Sequence, residues 1–334
     1  MGQLASMTSR IKALADPMLA VLIIGIGCAL LFPAEGAAQE RIKLVSNIGI
    51  FVLFLLNGIR VSHGEMALAI TNWRYFLPLF IWIFGVMALA GWAMSLAVGN
   101  FAPPLIALGF LYLGILPSTI QSATSYTTLA EGNIALAVVG AAVINIAGVF
   151  VSAPLFAIMG GGAVADLGSD AIIRIGTILV LPFVIGQILQ HWTRDWVIER
   201  KQRIVWLDRF VIGLAVYVAF SGAVAQGLAE LLDVAGWVVL AAGVVAFLAL
   251  ASFGSWMAGG MLGFDRRDRI AFFFAASQKS VAMGAPLAAI LFAPEVGGFL
   301  IAPLLLYHLL QLVIAAPIAA YFTRSDPALP RASG

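Results

Sequence analysis

Charge is what this sequence has least of. Only 10% of its 334 residues are Asp, Glu, Lys or Arg, against about 25% in an ordinary soluble domain, which excludes a water-solvated enzyme and a disordered chain. The formal charge is +2, too small an imbalance for a nucleic-acid surface. Cysteine is nearly absent: Cys28 stands alone, so intramolecular disulfides, thiolate metal clusters and redox pairs are ruled out. His63, His191 and His308 are too scattered for a zinc site. The apolar runs carry no HExxH, GxSxG or aspartate pair, which leaves an intramembrane enzyme without its chemistry.

Apolar sequence is what fills the gap. Hydrophobic residues make up 62% of the chain and the mean hydropathy is +1.05. At roughly 20 apolar residues per bilayer crossing, that is enough for about ten spans. The intervals between charged residues place them near 15–33, 44–63, 74–98, 103–130, 133–159, 172–192, 208–229, 235–262, 269–293 and 297–322. Asn100 with Pro103-Pro104 supplies the hairpin that divides the long uncharged run between Arg74 and Glu131. Period-two alternation is missing, so a β-barrel is excluded and helices, which satisfy their own backbone in lipid, remain. The expected fold class is an all-α polytopic membrane protein.

Basic residues set the expected orientation. With the N-terminus inside, fourteen of the eighteen lysines and arginines fall on the cytoplasmic side, including Arg10, Lys12, Arg266, Arg267, Arg269 and Arg331; Arg41, Lys43 and Arg174 lie outside, and Lys279 lies within a span. Both termini are expected in the cytoplasm, in a plasma (bacterial inner) membrane. The first span resembles a leader, but cleavage would unbalance this count, so an uncleaved first helix is expected. Trp73, Trp192, Trp196 and Trp206 suit interfacial anchoring.

Five spans precede the Gly-rich stretch 160–170 and five follow it. An odd number in each half inverts the second half relative to the first, a common plan of secondary transporters. The expected division is residues 1–160 (spans 1–5) and 161–334 (spans 6–10). The fourth span of each half carries a polar interruption: Pro117-Ser118-Thr119-Ile120-Gln121-Ser122-Ala123-Thr124-Ser125 in one, Ser277-Gln278-Lys279-Ser280 followed by Gly284 and Pro286 in the other. Polar side chains also join intact packed helices, but matched placement in both halves favours two unwound spans, 4 and 9. Unwinding creates half-helix ends that attract ions. The candidate substrate and ion site is therefore Ser118, Thr119, Gln121, Ser122, Thr124, Ser125, Ser277, Gln278, Lys279 and Ser280, with Asn145 and His308 behind them. Tyr307 and Gln311 are expected to pack or bond locally, and Gly259 with Gly263 to form a GxxxG helix contact.

LPSTIQSATSYTTLAEGN (116–133), FFAASQKSVAMGAP (273–286), NIAGVF (145–150) and LYHLLQL (306–312) resemble the bile acid:sodium symporter family, in particular its SBF-like orphan branch. The resemblance implies a panel of spans 1, 2, 6 and 7 and a core of spans 3–5 and 8–10. It further implies that broken spans 4 and 9 cross in the core and that one domain moves against the other. It also exposes departures. Where sodium-coupled members have a glutamate and an asparagine around the glutamine of span 9, this chain has Phe274 and Lys279. Two hydroxyl-bearing sodium ligands fall on Ala137 and Ala141, and span 3 offers no side-chain amide between Phe76 and Trp92.

A buried lysine is costly and is a functional candidate by default. Three roles fit Lys279: a fixed ammonium in place of the sodium charge, a titrating group that carries proton coupling, or a direct partner of an anionic substrate. Its nearest acidic neighbours in the sequence, Glu131 and Glu295, are not obvious partners. The leading expectation is a secondary active transporter of a small organic, anionic solute, with sodium doubtful, protons a candidate coupling ion, and no metal or other cofactor. The alternatives are a ligand-sensing regulatory protein on a transporter fold, a sodium-coupled organic anion symporter, or a channel. The short termini argue against a sensor. Expected partners are membrane lipid and the solute, with no nucleic acid.

Overall fold

The computed structural model describes residues 17–62, 64, 71–160, 173–174, 176–227 and 233–324. Arg10, Lys12, Arg331 and most of the Gly-rich boundary stretch lie outside the described residues. No strand occurs among the described residues. The helices are α1 (Pro17–Leu31), α2 (Gly36–Arg60), α3 (Trp73–Val98, with a π turn at Trp82–Val86), α4 (Pro104–Ile115), α5 (Ile120–Leu129) and α6 (Ile134–Gly160). They continue with α7 (Leu181–Glu199, entered through a π turn at Gly176–Val180), α8 (Lys201–Ala225), α9 (Val234–Met261), α10 (Arg266–Ser277), α11 (Val281–Leu291) and α12 (Pro294–Arg324).

Among the described residues six helices, α2, α3, α6, α8, α9 and α12, are individually long and apolar enough to cross a membrane, and the α4–α5 pair, bent by 61°, makes a seventh. Ten crossings would also need the 15-residue α1, α7 and the α10–α11 pair. The outward surface is apolar, with Leu31, Ile158, Phe253 and Met261 all strongly exposed. Such a surface marks a lipid-facing protein. Trp73, Trp192, Trp196 and Trp206 are each more than half exposed, as interfacial anchors need to be.

Several boundaries differ from those read off charge. α2 starts at Gly36, so Glu40, Arg41 and Lys43 lie in its first two turns, and α8 starts at Lys201 rather than at 208. Charge ends the apolar stretch, but helix propensity does not end with it: Lys, Arg and Glu are good helix formers. The charged connector 194–209 is accordingly helical except at Arg200. The expected Gly259–Gly263 packing pair is a correction. Gly263 takes φ +72° and terminates α9, with Phe264 N–H donating to Gly259 O at 3.1 Å, a C-terminal closure that favours glycine.

In lipid no hydrophobic gain drives helix association, so close packing and hydrogen bonds must do so. α2 and α7 approach closely at Gly58 and Gly186, where a Cβ on either would stand 2.2 Å from a backbone oxygen of the other helix. Arg60 of α2 pairs with Asp208 of α8 at 2.8 Å. α1 packs on α8, which in turn packs on α11 and α12. One buried cluster joins Phe110, Tyr112, Phe247, Leu300 and Tyr307, and a second joins Tyr75, Leu79, Ala137 and Phe272. These clusters hold α4, α9, α10 and α12 around the two helix breaks.

Candidate functional site

Proline removes a backbone donor and forces its predecessor out of the helical region. α4 therefore ends at Ile115, and Leu116 is extended at φ −75°, ψ 146°. Thr119 restarts the helix, its Oγ1 accepting from the Ser122 N–H at 3.4 Å. The second break repeats the plan without a proline inside it. Gln278 is extended at φ −95°, ψ 146°, and Ser280 caps α11 by accepting from the Met283 N–H at 3.2 Å. Each break strands carbonyls before it and N–H groups after it, and lipid offers them nothing.

The breaks satisfy one another. Lys279 is fully buried and its ammonium donates to the carbonyl oxygens of Gly114 and Leu116, at 2.8 Å each. Ser280 N–H donates to Pro117 O at 3.0 Å, and Ser122 Oγ donates to Gln278 Oε1. From α6, Ser152 Oγ donates to Ile115 O at 2.9 Å and Asn145 Nδ2 to Ser118 O at 2.7 Å. Five consecutive carbonyls, 114–118, thus each accept from another segment. The C-terminal end of a helix carries partial negative charge, and here a protein ammonium sits on it.

α12 clamps the second break. Gln311 accepts the Lys279 N–H through Oε1 at 2.8 Å and donates Nε2 to Lys279 O at 3.1 Å. Tyr307 OH donates to Ser277 O at 2.5 Å, and Tyr112 OH of α4 to Gly284 O at 2.6 Å. Gln311 Nε2 also lies 2.8 Å from His308 Nδ1, so His308 accepts there. Glu131 is exposed and Glu295 lies in the first turn of α12. The two ion pairs among the described residues, Arg60–Asp208 and Arg200–Glu199, lie elsewhere.

Of the expected site residues, Ser118, Thr119, Ser122, Ser277, Gln278, Lys279 and Ser280 are gathered at this crossing, with Asn145 and His308 behind it. Gln121 and Ser125 are exposed on another face of α5 and do not join it. Ser118 Oγ, Thr124 Oγ1 and Gln278 Nε2 are buried without a protein partner. A cavity of about 10 Å³ lined by Ser277, Gln278 and Gln311 lies alongside, close to the volume that one water requires. Gln311, Tyr307, Tyr112 and Ser152 carry more of the structure than the sequence suggested. Gln311 was the most legible of these, since it lies one turn beyond His308 on the last span.

Three positions at which the resemblance implies sodium ligands, Phe274, Ala137 and Ala141, are apolar. Phe274 is buried, stacked on Tyr126 at 5.9 Å and edge-on to Phe273 at 4.9 Å between centroids. Ala137 and Ala141 are fully buried, and Ala141 O accepts from Asn145 Nδ2 at 2.7 Å. Among the described residues no group of three His, Cys, Asp or Glu side chains could hold a metal.

Broken helices that meet inside a helical membrane protein are a recurring feature of membrane transporters. The SBF-like CPA transporter family (DUF4137) matches residues 16–324, and the chain belongs to that family. It is 36% identical to the uncharacterized protein PA2026 of Pseudomonas aeruginosa, over 95% of both chains. It is 32% identical to a protein of Escherichia coli named "Putative symporter YfeH", over 96% of both. The sodium/bile acid cotransporter 7 of Mus musculus is 25% identical over 88% of both. The family and these names are those of transporters and symporters, not of enzymes.

Proposed function

We propose that this protein is a secondary transporter that carries a small organic anion by alternating access, with Lys279 in the place of a coupling cation. In this reading the ten spans are α1, α2, α3, α4–α5, α6, α7, α8, α9, α10–α11 and α12, arranged as inverted halves 1–160 and 161–334. α1, α2, α7 and α8 form the panel; α3–α6 and α9–α12 form the core. Both termini face the cytoplasm. The packing of α2 on α7 and of α1 on α8 supports the panel, and the mutual satisfaction of the two breaks supports the crossing.

The observation that carries the reading is the Lys279 ammonium on the Gly114 and Leu116 carbonyls. A diffusible cation would be repelled there, and Phe274, Ala137 and Ala141 supply no ligands. The unpartnered Gln278 Nε2 and Ser118 Oγ, beside a buried positive charge, suit an anionic solute. Coupling to two sodium ions is therefore absent, and protons are the candidate coupling ion. A sodium-coupled organic anion symporter is the second reading, favoured by the name of the murine relative.

The test is uptake into liposomes of organic anions chosen by a thermal-shift screen, with sodium and pH gradients imposed separately. Uptake driven by the pH gradient and indifferent to sodium is expected, and Lys279→Ala should fold but fail to transport. Sodium-driven uptake with Lys279 intact, or transport at wild-type rates by the alanine variant, would overturn the proposal.

A further inference from the structure

A second polar feature lies where α9 ends, α10 begins and α12 ends. A cavity of about 440 Å³ opens there between Trp256, Phe264, Arg266, Arg269, Tyr321 and Phe322. Arg269 is held in place from three sides. Its Nε donates to Trp256 O at 2.8 Å and its guanidinium lies 3.9 Å over the Trp256 ring. Its stem and head lie against Gly259 and Gly260, where a Cβ would stand 2.9 Å from Cγ and 2.8 Å from Nη2 respectively. A side chain at either glycine would require Arg269 to shift. Nη1 and Nη2 of Arg269 make no hydrogen bond within the protein among the described residues. Arg266 donates through Nη2 to Phe322 O, and the Phe322 ring stacks on Trp256 at 4.6 Å, so a stacked aromatic pair lies under the Arg269 guanidinium.

Among the described residues, the neighbouring carboxylates are engaged elsewhere. Asp265 caps α10 by accepting from the Asp268 N–H at 2.9 Å, and Asp268 accepts from Asn133 Nδ2 at 2.8 Å on the α6 side. Neither lines the cavity. The fixed, planar guanidinium of Arg269, with its terminal donors to spare, is suited to phosphate oxygens. Along the lipid-facing side of α9, Phe253, Met257 and Met261 are exposed at four-residue spacing, and Tyr321 is exposed at the rim. That spacing forms one continuous apolar stripe on a helix.

We propose that this cavity binds the phosphate headgroup of an anionic phospholipid, with an acyl chain laid along Phe253, Met257 and Met261. A soluble phosphate would use the arginines but not the stripe. Basic pockets between helix ends are suited to such headgroups. The site ties the ends of α9, α10 and α12 together, and α10 leads directly to the second break.

Purified protein in a neutral detergent is titrated with phosphatidylglycerol, phosphatidylcholine or inorganic phosphate. Binding is read by native mass spectrometry and by the melting midpoint. Phosphatidylglycerol should be retained and should raise the midpoint, whereas phosphatidylcholine and inorganic phosphate should not. Arg269→Gln should weaken phosphatidylglycerol binding about fivefold, the effect of one lost charge at a membrane surface. If that variant fails to fold, Tyr321→Glu, which puts a carboxylate at the exposed rim, should weaken it similarly. Equal retention of the two lipids, equal stabilisation by inorganic phosphate, or unchanged binding in whichever variant folds would overturn the proposal.

Discussion

The two helix breaks look alike in backbone and differ in chemistry. Both place one residue at ψ 146° before a hydroxyl-capped restart. The first, at 116–119, faces the crossing almost wholly as acceptor: its contribution is the run of carbonyls 114–118. The second, at 278–280, supplies donors, namely the Lys279 ammonium and the Ser280 N–H. Two acceptor-rich breaks would repel each other unless a free cation lay between them. With one donor-bearing and one carbonyl-lined break, the two meet each other's polar groups directly. Similar backbone geometry thus carries opposite hydrogen-bonding chemistry.

That comparison can be broken most severely at Lys279. Lys279→Met keeps the volume but leaves two carbonyls unsatisfied, and a loss of about 3–6 kcal/mol is expected at roughly 1.5–3 per charge-assisted hydrogen bond. Its melting midpoint in detergent should fall further than those of the Gln311, Asn145, Gln121 and Ser125 variants; a shift within error would show that the lysine does not hold the breaks together. Gln311→Leu should come next, at about 2–4 kcal/mol, because both the N–H and the carbonyl of Lys279 lose their partner. Asn145→Leu orphans only Ser118 O, since Ala141 O keeps its place in the α6 ladder, so about 1–2 kcal/mol is expected. If Asn145→Leu matched or exceeded Gln311→Leu, the acceptor break would not be the less demanding of the two. Smallest of all, the pair Gln121→Ala and Ser125→Ala should leave stability within about 0.5 kcal/mol, as exposed substitutions do. These two should instead alter the KM of uptake if their face of α5 lines the solute path, and unchanged uptake would place them against lipid.

The breaks themselves were legible because their cause is local. Pro117 and the polar clusters at 118–125 and 277–280 interrupt apolar sequence, and stranded backbone groups in lipid must be met by something. Which partners meet them was less legible. Sequence alone gives Tyr307 and Gln311 only a local role, because one sequence shows helical spacing but not which element faces that helix. The π turns at Trp82–Val86 and Gly176–Val180 left no pattern to read, since one extra residue per turn arises from tertiary packing. Gly259 and Gly263 matched a helix-packing motif, yet one lies under an arginine and the other ends the helix. A spacing motif cannot distinguish a neighbouring helix from a neighbouring side chain. The helix ends at α2 and α8 were misplaced because charge reports where water begins, not where hydrogen bonding stops.

The tether on the Lys279 ammonium has a thermodynamic consequence. A diffusible cation enters from one compartment, leaves to the other, and delivers the free energy of its concentration difference. A charge fixed to the backbone by a four-carbon stem makes no such journey and can do no net work over a cycle. If the protein drives a solute uphill as proposed, the energy for that movement travels with some other particle than this tethered amine.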